Sequence, residues 1–114
     1  MAKFLYLFRS NPSAYRSMSP EQMQQTTKKW MDWRDALEKK GHVVRLGERL
    51  DGAGKVVRGK AKLVTDGPYI EVKDFIQGQM LIEAKDMDQA VELSKGCPVL
   101  ESDGSVEIRP LYSQ

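Results

Sequence analysis

The sequence predicts an α+β domain in which an antiparallel sheet carries two helices on one of its faces. Two helical patterns, each opened by a capping residue and closed at a glycine, alternate with apolar, β-prone runs in the order strand, helix, strands, helix, strand. At 114 residues the chain is long enough for one core, and a domain of this size buries roughly two-thirds of the surface its unfolded chain exposes. No linker, repeat or low-complexity segment interrupts it, so residues 1–114 are expected to form a single domain.

The first strand is KFLYLFR, residues 3–9, with Leu5 and Leu7 on one parity and Phe4, Tyr6 and Phe8 on the other. Asn11, Pro12 and Ser13 end it. Ser19-Pro20-Glu21-Gln22 then opens a helix with a hydroxyl cap, a proline in the first turn and a glutamine placed to close a capping box. Met23, Thr27, Trp30 and Leu37, with Thr26 and Trp33 beside them, mark its buried stripe. Lys39 and Lys40 suit the negative end of the helix dipole, and Gly41 is a left-handed stop.

HVVRLGERL, residues 42–50, is strand-like, and Asp51-Gly52-Ala53-Gly54 is expected to turn it into KVVRGKAKLVT, giving a hairpin with an irregular return. FIQGQMLIEA, residues 75–84, is the next strand, with Ile76, Met80, Ile82 and Ala84 on one face. A second helix starts at Asp86, reinforced by Gln89, and stops at Gly96 before Cys97-Pro98. SVEIRPL closes the chain, Val106 and Ile108 pointing one way and Glu107, Arg109 and Leu111 the other.

This order fits a ferredoxin-like sandwich. Its two helices cover one sheet face, expected to hold Leu5, Leu7, Ile76, Met80, Ile82, Val106 and Ile108. The other face would then present Phe4, Tyr6, Phe8, Gln77, Gln79, Leu81, Glu107 and Arg109. Three exposed aromatics make an apolar patch larger than a monomer normally carries. A homodimer in which a second copy covers that patch and encloses a pocket is therefore expected.

The net charge is +2 with acids and bases interspersed, which gives no electrostatic reason to expect nucleic acid or a membrane as partner. The basic run Arg49, Lys55, Arg58, Lys60 and Lys62 faces only Asp51 and reads as a solvated hairpin. No stretch approaches the ~20 apolar residues of a membrane span. A lone Cys97 cannot form an internal disulfide, and a cytoplasmic setting is expected. No second histidine accompanies His42 to build a metal cluster, and no glycine-rich phosphate loop opens a helix, so neither metal nor cofactor is expected. At a helix end Cys97 reads as a small buried hydrophobe, not as a nucleophile.

The candidate chemistry lies in TDGPYIEVK, residues 65–73. Asp66 can cap the Gly67-Pro68 turn or act as a general acid or base. Beyond the turn, period-two alternation places Tyr69, Glu71 and Lys73 on one side. There Glu71 can accept a proton, Lys73 can stabilise negative charge and Tyr69 can orient a ring; equally, Glu71 and Lys73 can form a surface ion pair worth ~0.2–1 kcal/mol. Arg109, beside Glu107, can clamp a carboxylate or pair across the dimer.

These residues carry a family likeness. VTDGPYIEVK, residues 64–73, resembles the DGPF motif of the YCII-related family, with Tyr69 where phenylalanine is usual. Gly47-Glu48-Arg49-Leu50 resembles the family's G-E-x-L strand, and Gly78-Gln79-Met80-Leu81-Ile82-Glu83 its G-x-x-x-I-E strand. Cys97-Pro98 and Gly104-Ser105-Val106-Glu107-Ile108-Arg109-Pro110 follow in the family's order. The resemblance implies a dimeric α+β barrel of ferredoxin-like fold, in the class that includes muconolactone-isomerase-like enzymes. A related protein is a dehydrochlorinase, and some members are fused to sigma-factor-like proteins. The catalytic His-Asp pair of other branches is not clearly reproduced, and its role is not transferred to His42.

Two functional expectations follow. One is a cofactor-free acid-base enzyme of isomerase or lyase type acting on a small polar or aromatic-derived metabolite, with Asp66 and Glu71 as proton carriers. The other is a ligand-binding or regulatory module without turnover.

Overall fold

The computed structural model describes residues 1–11, 17–67 and 75–112. In chain order it comprises β1 (Ala2–Ser10), α1 (Pro20–Lys39), β2 (Val43–Arg45), β3 (Gly54–Arg58), β4 (Leu63–Gly67), β5 (Phe75–Ala84), α2 (Met87–Ser94), a 3-10 turn (Pro98–Ser102) and β6 (Ser105–Pro110). The main sheet runs β2-β5-β1-β6, all pairs antiparallel. With β3 and β4 set aside, this is the ferredoxin-like βαββαβ arrangement.

Both helices begin as their cap residues dictate. The Ser19 hydroxyl accepts from the Gln22 amide at 3.1 Å while the Gln22 side chain accepts from the Ser19 amide at 2.9 Å, completing the capping box. Asp86 accepts from the Gln89 amide at 2.9 Å, and the Gln89 side chain reaches one residue further back, to the Lys85 amide. Gly41 takes the left-handed conformation at φ +77° and stops α1. The α1 stripe runs through Met23, Thr26, Trp30, Trp33 and Leu37; Thr27 is exposed and donates its hydroxyl to the Met23 carbonyl.

The core lies between helices and sheet and is built on the aromatic parity of β1. Phe4, Tyr6 and Phe8 are buried with Trp33, Leu37, Met80, Ile82, Ala84, Ala90, Cys97 and Val99. This corrects the expected face assignment, because Leu5 and Leu7 are the residues on the open side. A strand apolar on both parities leaves period two silent about which face goes in. Pairing decides it: Tyr6 opposes Met80 and Ile108, and Phe4 opposes Ile82, and residues directly opposed across an antiparallel pair share a face. The ring of Tyr6 stacks on Trp33 at 6.2 Å and Phe8 meets Trp30 edge-on at 5.0 Å. The polar tips of Tyr6 and Trp33 are satisfied: the Tyr6 hydroxyl donates to the Ala90 carbonyl and the Trp33 indole to the Leu93 carbonyl.

The middle of the chain also differs from expectation. HVVRLGERL contributes only a three-residue strand, β2, at the sheet edge. The hairpin forms within KVVRGKAKLVT, where β3 pairs with β4 about a turn closed by the Lys62 amide on the Gly59 carbonyl. Gly59 and Lys62 both take positive φ there, so the hinge is Gly59–Lys62 and not Asp51–Gly54. Only Val56 and Gly67 of this ribbon are even half-buried. Among the described residues, no helix is long and apolar enough to cross a membrane.

Candidate ligand-binding cavity

A cavity of about 330 Å³ opens between α1 and the sheet. Helix α1 supplies Met23, Thr26, Thr27, Trp30, Met31 and Arg34; the segment after β2 supplies Leu46 to Arg49; β5 supplies Gln77 to Met80; Phe8 and Val99 form the floor. Its size is at the lower end of small-molecule sites, enough for a one- or two-ring compound.

The far wall depends on two glycines. Gly47, at φ +72°, is pressed so closely on β5 that a Cβ there would stand 2.0 Å from the Gln79 carbonyl oxygen. A Cβ on Gly78 would in turn meet the Glu48 carbonyl at 3.1 Å. An isolated bridge joins Arg49 to Gly78, and the Leu50 amide donates to the Gln77 carbonyl at 2.6 Å. Two motifs some thirty residues apart, GERL and GQMLIE, thus meet as one wall.

The lining is chemically uneven. Trp30 and Phe8 are perpendicular aromatic surfaces, and Met23, Met31 and Met80 are flexible thioethers that adapt to a guest. Against them stands Arg34, whose Nε is buried and has no hydrogen-bond partner among the described residues. Glu48 is the carboxylate of the lining, and it faces Arg45 at 3.9 Å with most of its side chain in solvent.

The residues singled out from sequence are placed elsewhere or lie outside the description. Asp66 is in β4 with its carboxylate on the Lys55 ammonium across the ribbon; both side chains are largely exposed, and Asp66 does not line the cavity. Tyr69, Glu71 and Lys73 lie outside the described residues. Arg109 is on the open sheet face, where its guanidinium donates to one oxygen of Glu107 at 3.2 Å while Arg9 donates to the other at 3.0 Å. The hydrogen bonds from Arg109 and then Arg9, with their charges, hold the Glu107 carboxyl below the ordinary carboxylate range. His42 is buried with Nδ1 at 2.9 Å from the Glu83 carbonyl, its backbone tied to Leu37 and Glu83. A carbonyl can only accept, so Nδ1 carries the proton and the ring braces β2. Cys97 is buried, its thiol pushed up to about 12 by burial.

Arg34 is the residue that sequence reasoning passed over. Its signal was present: it is the only arginine of a helix whose other bases are lysines, four residues after Trp30 and one after Trp33. Spacing alone put it at the edge of the apolar stripe, where a solvated base is equally usual.

An α+β sandwich with a hybrid aromatic and cationic cavity between helix and sheet is the class of protein that fold and site define. The family model for the YCII-related domain matches residues 2–113, and the chain belongs to that family. No curated protein matches the sequence.

Proposed function

We propose that the protein is a binding module for a small, partly apolar metabolite held in the cavity between α1 and β5, acting as a cytoplasmic homodimer of the DGPF branch. The observation that carries the reading is the cavity wall itself: Trp30, Phe8 and three methionines surround a space of about 330 Å³ whose sheet-side wall is formed by the close contacts at Gly47 and Gly78. The acid-base reading needs Asp66 and Glu71 at the guest, whereas Asp66 is held by Lys55 on the exposed ribbon; the binding reading is therefore preferred. The branch assignment rests on Asp66-Gly67-Pro68-Tyr69.

The homodimer is proposed to close through the open face of the sheet. Leu5 and Leu81 are opposed neighbours there and Leu7 follows, all half-buried. Around them Lys3, Arg9, Glu83, Glu107 and Arg109 mix both signs, which suits a self-complementary contact.

A metabolite-library thermal-shift screen tests the binding reading, repeated on Thr26→Trp, which fills the cavity from α1. Hits that raise Tm in the wild type and vanish in Thr26→Trp are expected. Hits that persist in the filled variant, or that are turned over, overturn it.

A further inference from the structure

We propose that the guest is an organic anion, a flat apolar body carrying a carboxylate or similar monoanionic group, and that Arg34 is the residue that selects it. This rests on the binding reading above and names the ligand class for the same cavity. Arg34 lines the cavity from the second half of α1, one helical turn after Trp30. Its Nε–H is buried without an acceptor, and no carboxylate among the described residues pairs with its guanidinium.

A guanidinium with a desolvated Nε and no carboxylate partner among the described residues is stabilised when an anionic oxygen of a guest in the cavity accepts from its accessible N–H groups. Among the described residues, Glu48 and Glu107 are engaged elsewhere. Glu48 is drawn toward Arg45 and solvent; Glu107 is shared by Arg9 and Arg109 on the opposite face of the sheet. Within the lining Arg34 is thus a cation that the carboxylate of Glu48 does not neutralise. Apolar walls on the helix side, from Met23 to Met31, lower the local dielectric and strengthen a charge-assisted bond there. The same walls accept a ring: Trp30 stands edge-on to Phe8, leaving indole surface toward the cavity. A neutral analogue would fill the apolar part equally well and leave the Arg34 N–H less well bound. Discrimination should accordingly fall on the charged group, not on the ring.

The test uses N-phenyl-1-naphthylamine, a neutral dye that fluoresces in apolar cavities, displaced by a matched pair, 1-naphthaleneacetate and 1-naphthaleneacetamide. In the wild type the acid is expected to displace the dye at a concentration at least about tenfold below that of the amide. In Arg34→Gln, with dye affinity titrated afresh and folding checked by circular dichroism, the acid should weaken to the level of the amide. Arg34→Lys, which keeps the charge but loses the planar fork, should retain part of the preference. Acid and amide competing equally in the wild type overturns the proposal and leaves the cavity reading standing, and this arm needs no folded variant. An Arg34→Gln protein that keeps the full preference also overturns it. Absence of dye binding overturns the cavity reading itself.

Discussion

The backbone of Gly47 rests on the carbonyl of Gln79 with no room for a side chain between them: a Cβ would lie 2.0 Å from that oxygen. The contact brings GERL against GQMLIE and forms the sheet-side wall of the cavity. Gly41 has nearly the same backbone angle, +77° against +72°, but open space where its Cβ would be.

These two glycines give a paired prediction. Gly41→Ala should cost only the positive-φ strain, about 1 kcal/mol. Gly47→Ala adds a clash with backbone that cannot rotate away, and should cost about 3 kcal/mol or more. Urea unfolding of both variants checks this, and equal losses would count against the wall as described. Only Gly47→Ala should also weaken dye binding.

Cys97 predicts the alkaline limb of stability. Burial holds its thiol up at about 12, against 9.0 for an ordinary thiol, and burial and then the nearby Cys97 push the Tyr6 phenol above its usual 10.0. Both groups ionise more easily in the unfolded chain. Their contribution is thus fully present below pH 9 and is lost progressively as the pH rises toward 12. Unfolding free energies measured across that range should fall, and less steeply in Cys97→Ala. At pH 8 the native thiol should react with Ellman's reagent at least about a hundredfold more slowly than in denaturant.

Leu81 predicts the oligomeric state. It lies opposite Leu5 on the open face, and a carboxylate placed there would be desolvated in a face-to-face dimer. Leu81→Glu is expected to raise the dimer dissociation constant at least about thirtyfold, read by light scattering over a dilution series. A wild type that is monomeric at micromolar concentration would remove the dimer from the proposal.

Asp66→Asn separates the ribbon from the cavity. Its partner Lys55 is two-thirds exposed and Asp66 more so, so the loss should stay below about 1 kcal/mol. Displacement of the dye by 1-naphthaleneacetate should be unchanged. A large loss of binding would return Asp66 to the site.

Much of this architecture is written in local signals. Ser19, Gln22, Asp86 and Gly41 specify their helix ends through hydrogen bonds only a few residues long. The alternation of Met80, Ile82 and Ala84 against Gln79, Leu81 and Glu83 assigns the faces of β5, and the order of elements is that of the observed sandwich. Strand β1 was not legible in this way, since Phe4-Leu5-Tyr6-Leu7-Phe8 is apolar in either register. The hairpin was misplaced for a related reason: Asp51-Gly52 and Gly59-Lys60 are both plausible turns, and the choice belongs to pairing partners, β2 going to β5 and β3 to β4.

The sequence by itself determined the helices, their caps, the element order and the family, because each rests on neighbours in the chain. Tertiary structure alone decided which face of β1 is buried, that GERL and GQMLIE form one wall, and that Arg34 stands in a cavity beside Trp30. Those are relations between residues far apart in sequence, set by antiparallel register and by the close backbone approach that two glycines allow beneath a helix rich in tryptophan and methionine.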